Sequence, residues 1–296
     1  MRPDVKWTNL TLDQIAERLA EAGTPVSVTV VKQLLGKHHD IKRKARKSLS
    51  MGQHADRNQQ FENIARLKRE YLETDNPILS IDTKKKELVG NFSREGRLST
   101  QEVIRTCDHD FPSAASGVII PHGLYDVKRN AGHVNLGTSH DTSEFACDSL
   151  ERWWESRGRV LYARASSILL LCDGGGSNSA NQYLFKEDLQ RLVDRIGIEI
   201  RVAHYPPYAS KYNPIDHRLF PHLTRACQGV IFESMELVKG LMEQAKTSTG
   251  LRVTVEILDK VYRTGRKYTK EFKDHMKIVF DEILPRWNYR VVPSGS

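Results

Sequence analysis

Apolar residues in the first quarter of the chain recur at helical spacing. Leu12, Ile15, Ala16, Leu19 and Ala20 share one face of a predicted helix. The T-x-x-Q capping box of Thr11 and Gln14 opens it, and Gly23 is a suitable stop. After Thr24-Pro25, Ser27 can cap a second helix carrying Val30, Val31, Leu34 and Leu35. Residues 57–73 form a further amphipathic helix with Phe61, Ile64, Leu67 and Tyr71 in register, and Asn76-Pro77 marks its break.

From residue 78 onward strands and helices alternate. Strands are predicted over 78–88, 117–127 and 132–139, then a helix from about 142 to 156. Ser167–Cys172 (SILLLC) is a continuous apolar run, as expected of a strand buried on both faces. A helix near 182–196, a strand over 199–204 and helices near 215–227 and 234–246 follow; 88–116 and 247–268 read as loops or insertions. Three strands, then helix, strand, helix, strand, helix, is the order of an RNase H-like fold. The predicted class is α/β: an RNase H-like domain over 76–296, with a mixed central sheet flanked by helices. A small all-α module over 1–50 precedes it, joined by a connecting helix over 51–75.

Charge alters the reading of the first module. The chain has 296 residues and a formal net charge of +8. Lys42, Arg43, Lys44, Arg46 and Lys47 cluster directly after the paired helices, with Asp40 against them. Such a cluster can neutralise phosphates in a salt-sensitive, sequence-independent way. Two short helices, a tight turn and a basic tail read as a helix-turn-helix DNA-binding module, an ordinary helical hairpin being the alternative. No apolar run approaches the ~20 residues that span a bilayer, and no secretory leader is visible, so a cytoplasmic protein without a membrane partner is expected. Cys107, Cys147, Cys172 and Cys227 are far apart and read as free thiols, not as a zinc ribbon or a disulfide framework.

Three aspartates carry the candidate chemistry. Asp82 stands inside a strand reading ILSIDTK, Asp173 directly follows LLLC and precedes three glycines, and Asp216 follows Asn213-Pro214-Ile215 at a helix start. A carboxylate at the end of a buried strand is costly unless a cation or donors compensate. Hard oxygen ligands suit Mg²⁺ or Mn²⁺. Two such ions, bridged by Asp82 and flanked by Asp173 and Asp216, would serve an in-line displacement at a phosphodiester. Singly, each aspartate also suits a turn or helix cap. Lys84, His217 and Arg218 are candidate nucleic-acid contacts beside these positions, although lysines on an exposed strand edge also discourage aggregation. Asp126 and Asp141 are reserve carboxylates, His204 ends a strand nearby, and Trp153 and Trp154 read as packing residues.

Several segments match a known family in order. His204–His217 (HYPPYASKYNPIDH) resembles the signature before the third carboxylate of mariner-like and related insertion-sequence transposases, and Leu170–Asn178 (LLCDGGGSN) resembles their second-carboxylate strand. More closely, the chain resembles the Rhodopirellula-type insertion-sequence DDE transposases (the ISAzo group). Asp82–Phe92, Gly123–Asp126, His140–Ala146, Arg152–Trp154 and Asp216–Phe220 carry that resemblance. It implies an RNase H-like catalytic domain behind a helix-turn-helix region, with Mg²⁺- or Mn²⁺-dependent DNA cleavage at transposon ends and strand transfer to target DNA. Double-stranded DNA is the implied partner, with a homodimer on DNA because two ends must be paired, in the nucleoid-associated cytoplasm. Asp82 and Asp173 match the first two catalytic positions. The third is usually Glu in the closest relatives and is Asp216 here, one methylene shorter. The resemblance implies more DNA-binding sequence ahead of this chain's start, so a truncated copy, a partial reading frame or a diverged descendant is expected. A catalytically weak DNA-binding regulator and a structure-selective nuclease are the alternative functions.

Overall fold

The computed structural model describes residues 6–8, 10–37, 41–43, 54–97, 100–101, 103–107, 109–175 and 183–295. The chain forms two compact units, Met1–Met51 and Gly52–Ser296. Among the described residues no helix is long and apolar enough to cross a membrane.

The first unit contains β1 (Lys6–Thr8), α1 (Leu12–Glu21), α2 (Val28–Lys37) and β2 (Ile41–Arg43). Both halves of the Thr11/Gln14 capping box are formed, and the Val30 amide donates to Ser27 Oγ at 3.4 Å. The all-α expectation is corrected here, because β1 and β2 pair in parallel. Strands of three residues are too short for alternation to register in the sequence. Lys42 and Arg43 lie on β2; Lys44, Arg46 and Lys47 fall outside the described residues.

The second unit opens with α3 (Arg57–Leu72), followed by β3 (Ile78–Thr83), β4 (Glu87–Val89), β5 (Gly117–Asp126) and β6 (Ala131–Gly137). Helix α4 (Ser143–Trp153) runs into a π-helical turn and the short α5 (Arg159–Leu161). Then come β7 (Ser167–Cys172), α6 (Tyr183–Ile196), β8 (Glu199–His204), α7 (Pro214–Arg218), α8 (Phe220–Ala226) and α9 (Met235–Glu243). The chain closes with β9 (Arg252–Leu258), α10 (Lys270–His275), β10 (Ile278–Phe280) and β11 (Asn288–Val291).

One mixed sheet organises this unit, in the order β10-β11-β8-β7-β3-β5-β6-β9, with β4 paired separately to β5. The β3-β5-β6 group is antiparallel, whereas β7 runs parallel to β3 and β8 parallel to β7. Helices cover both faces. On one, Leu150 and Trp153 of α4 and Phe185, Leu189 and Leu192 of α6 pack on Ile168, Leu170 and Cys172 of β7. On the other, Ile64, Leu67 and Tyr71 of α3 pack on Leu169 and Leu171 of the same strand. Successive side chains of a strand point to opposite faces, so two covered faces require the continuous apolar run SILLLC. Farther along the sheet, α7, α8 and α9 bury Ile215, Leu219, Leu223 and Val238 against Ile119, Val134 and Leu136. Trp153 and Trp154 are both buried in the core, as packing residues.

Two predicted elements are divided. The strand expected over 78–88 stops at Thr83, where the Lys84 amide turns to the Pro121 carbonyl, and β4 then pairs farther back along β5. The helix expected over 215–227 breaks at Leu219 (φ −122°, ψ −60°), two residues before Pro221. Proline has no N–H to donate and restricts the residue ahead of it, which favours such a break.

Candidate active site

Asp82 lies near the carboxyl end of central strand β3. Its predecessor Ile81 is in register with Cys172 of parallel strand β7, so Asp173, one residue beyond that pair, emerges at the same end of the sheet. On its other flank Asp82 faces Gly123 of β5.

The third aspartate is delivered by side-chain stitching. Asn213 Nδ2 donates to the Ile81 carbonyl at 3.1 Å, and Ser80 Oγ donates to Asn213 Oδ1 at 2.5 Å. Ser80 Oγ also accepts from the Ile215 amide at 2.9 Å. Ser80, Asn213 and Ile215 are fully buried, so the Asn-Pro-Ile segment is fastened to β3 immediately ahead of Asp82. Pro214 starts α7 with its fixed φ, which sets Asp216 in the first turn. Gly123 makes room for this arrangement: a Cβ there would come within 2.8 Å of Phe220 and 2.9 Å of Ile215.

The three aspartates share one electrostatic field. Burial, then the neighbouring Asp173, push the Asp82 carboxyl up to about 7, with Asp216 and Asp141 adding to the rise. The Thr83 amide, donating to Asp82 Oδ1 at 2.7 Å, opposes the shift. Asp216 is raised to about 6 by burial and by Asp173. Asp173 is raised by burial, against a hydrogen bond from the Gly175 amide and with a contribution from Asp141. Asp141 thus belongs to the cluster, where it accepts from Thr83 Oγ1 at 3.0 Å. Among the described residues, no group of three or more His, Cys, Asp or Glu side chains is gathered closely enough to hold a metal ion. The donor set nevertheless suits a hard cation: part-buried oxygen ligands whose charges oppose one another and would be relieved by positive charge.

The profile described as Rhodopirellula transposase DDE domain matches residues 1–293. The chain belongs to that transposase family. No curated protein sequence matches it. Among solved structures, it is similar to a Mos1 transposase paired-end complex with the left transposon end, at 16% identity and a TM-score of 0.45. That likeness covers 79% of this chain and 66% of the other, so the chain spans just under two thirds of that relative's length. A pre-cleavage Mos1 transpososome is similar at 14% identity and a TM-score of 0.45, over 80% of this chain and 71% of that one.

The surroundings of the aspartates in this transposase-family chain refine the sequence reading. His217 and Arg218 are exposed on α7, directly after Asp216. Lys68 of α3 joins them: burial and the Arg218 charge lower its pKa, which sets a second cation beside α7, where burial and Arg218 also favour the neutral form of His217. Only a lysine on a helix that reads as a connector signalled it in the sequence. Lys84 instead pairs with Glu87 at 2.5 Å and its side chain is 11% exposed, so its charge is turned inward. Lys42 and Arg43 belong to the first unit.

His204 is a buried support. A carbonyl can only accept, so Nδ1–H donates to the Asp173 carbonyl at 3.0 Å, leaving Nε2 to accept from the Tyr289 hydroxyl at 3.2 Å. Burial lowers its pKa to about 4 and keeps the ring neutral. Close by, Lys186 is buried with its ammonium 4.8 Å from the Tyr289 ring centroid; burial lowers its pKa to about 8. Asp126 sits at the far end of β5, where it accepts from the Lys128 and Arg129 amides and the Tyr162 hydroxyl, a structural role.

Proposed function

We propose that this chain is the DNA-binding and catalytic part of a DDE transposase that cleaves phosphodiesters at transposon ends and transfers the 3′ strand to target DNA, on an RNase H-like scaffold. Asp82, Asp173 and Asp216 are the residues that would hold two Mg²⁺ or Mn²⁺ ions. The observation that carries the reading is the shared field of these three aspartates at one end of the central sheet, in a chain of this family. Divalent ions bound there would supply Lewis-acid stabilisation of charge at the scissile phosphate and a more acidic attacking water or 3′-hydroxyl.

The chain's own groups prepare that site. His204 fixes the backbone at Asp173, and Asn213 with Ser80 fixes the turn that presents Asp216. With carboxyls raised to about 7 and about 6, Asp82 and Asp216 titrate near neutrality, and a cationic partner would favour their ionised forms there. Arg218, with Lys68 behind it, offers positive charge to the DNA backbone beside Asp216, and His217, whose pKa is lowered by burial and by Arg218, offers a neutral imidazole there. In the first unit, the helix-turn-helix reading of α1 and α2, together with the basic cluster Lys42–Lys47, supports DNA binding there. Double-stranded DNA, paired through a homodimer, is the proposed partner.

The test is nicking of a duplex carrying the flanking element ends, with Mg²⁺ or Mn²⁺, beside the Asp173→Ala variant. The parent is expected to cut and the variant to lose at least about a hundredfold in rate, the scale of removing a group that stabilises transition-state charge. Intact DNA binding without cutting by the parent would overturn catalysis and leave a DNA-binding regulator. Cutting without strand transfer would leave a nuclease.

A further inference from the structure

From Asp173 the chain leads through residues 174–182 to Tyr183, the first residue of α6. Beside this first turn opens a cleft of about 780 Å³, lined among others by Tyr183, Tyr268, Lys267, Lys270, Lys273 and Asp274. Its volume falls in the roughly 300–1,000 Å³ range of ligand pockets. The two tyrosine rings stand 5.1 Å apart between centroids, tilted by 44°, and Tyr268 is 40% exposed. The Lys273 ammonium lies 5.3 Å from the Tyr183 centroid and that of Lys186 lies 5.8 Å from it. Tyr183 is therefore held by cations, whereas Tyr268 presents ring surface to solvent.

The wall of the cleft is fixed by ion pairs that consume the acidic groups around it. Arg266 donates to Asp188 at 2.7 and 3.2 Å and to Glu144 at 3.0 Å. The Thr269 amide and hydroxyl donate to Glu187 at 3.2 and 3.3 Å. Among the described residues, Lys267, Lys270 and Lys273 form no ion pair, and Asp274 is the one acidic residue of the lining. A short path of contacts ties this wall to the aspartates. Ser143 Oγ donates to Asp188 at 2.6 Å, and two residues earlier Asp141 accepts from Thr83, the neighbour of Asp82.

We propose that this cleft binds an unpaired stretch of DNA strand, with a base stacked on Tyr268 and phosphates held by Lys267, Lys270 and Lys273. The assignment rests on the reading of the chain as a DNA-processing enzyme and adds a strand-binding site to it. Lysine ammoniums suit phosphate as point charges. Exposed aromatic rings add affinity only where a base face is free, because bases inside a duplex are already stacked on one another. Aromatic platforms beside basic grooves are accordingly the mark of single-strand binding. A cleft built for duplex phosphates alone would have no use for the exposed Tyr268 ring.

The test uses the full chain in EDTA, with fluorescence anisotropy of a labelled oligothymidylate of about 12 nucleotides, within the range such grooves accommodate, and of a duplex of equal length. Tyr268→Ala is expected to weaken single-strand binding about tenfold, the scale of one lost stacking contact, with duplex affinity changed less than about twofold. Tyr268→Phe should restore it, since the ring and not the hydroxyl is the contact. The Lys270→Ala/Lys273→Ala pair should lower the salt dependence of single-strand binding by roughly one to two phosphate contacts. Unchanged single-strand affinity in Tyr268→Ala, or equal losses for single strand and duplex, would overturn the proposal. Because no cleavage is read, a parent that fails to nick DNA but shows this pattern would sink the transposase activity and keep the cleft. The opposite pair of results would do the reverse.

Discussion

With its carboxyl raised to about 7 by burial and by Asp173, Asp82 is costly to ionise in the folded chain. The ordinary value is 3.8, so the sign follows from linkage. A raised folded pKa contributes stability that is full below about 3.8 and lost as pH rises through about 7. Asp82→Asn removes the ionisable group and escapes that loss. Without divalent ions, this variant is expected to melt above the parent at pH 8, by about 1–3 kcal/mol of stability after allowing for the partial exposure of the site. The difference should vanish near pH 4. Saturating Mg²⁺ should narrow it at pH 8, because an ion that binds the folded parent stabilises it by mass action. The neutral buried His204 responds to pH in the opposite sense, but equally in both proteins, so the comparison reports Asp82 and its repulsion with Asp173 and Asp216. Coincident melting curves at pH 8 would refute the buried repulsion. At this scale the three aspartates were legible because each stands where an apolar strand or an Asn-Pro turn ends. Asp141 stands out less, since Thr83, which donates to it, and Asp82 and Asp173, whose carboxyls it raises, are all distant in sequence. Lys84 reads as a DNA contact or a protective strand-edge lysine, because the chain reversal that brings Glu87 onto it leaves no periodic mark.

Elements position the aspartates through close backbone approach, and Gly123 is where that approach is tightest beside Asp82. An alanine Cβ there would meet the Phe220 ring at 2.8 Å and the Ile215 side chain at 2.9 Å, both from helices seated on the sheet. Overpacking of this kind costs roughly 1–3 kcal/mol. Gly123→Ala is expected to lower the unfolding free energy by that amount, read as a lower urea midpoint, and to reduce nicking further, because α7 carries Asp216. A variant with parental midpoint and rate would show that α7 shifts without consequence. Glycine in the word Gly-Leu-Tyr-Asp was visible in the sequence, but the helices that press on it lie some ninety residues away. Strand β7 was legible because burial on both faces forces an unbroken apolar run. Strand β9 lies in a stretch that reads as loop or insertion, although Val253, Val255 and Ile257 alternate there with polar residues. Its neighbours offered few strand or turn signals to frame it, and β6 is its partner only through a long-range parallel pairing.

At the scale of the whole molecule, the helix that the sequence offers as a connector is a layer of the second unit. Leu67, Ile64 and Tyr71 of α3 are buried against β3, β7 and β8, and the Tyr71 hydroxyl hydrogen-bonds Ser167 at 2.7 Å. Gln60 and Asn288 exchange amide hydrogen bonds at 2.9 and 2.7 Å, both fully buried, and Gln60 also donates to the His204 carbonyl at 2.9 Å. Helix α3, the first element of the unit, is thus joined to its last strand and to the histidine that supports Asp173. Each fully buried apolar side chain contributes roughly 1.5–3 kcal/mol, and a buried amide left without its partner costs about 1–3 kcal/mol. Their sum approaches the roughly 5–15 kcal/mol that holds a typical domain folded. A fragment starting at residue 76 would therefore expose Leu169 and Leu171 and leave the buried Asn288 Oδ1 without its donor. Residues 52–296 are expected to be soluble and to unfold in one cooperative step, whereas 76–296 should bind a hydrophobic dye and melt without a sharp transition. Circular dichroism melts of the two fragments decide the matter. An equally sharp and equally high transition for 76–296 would show that the sheet holds its aspartates without α3.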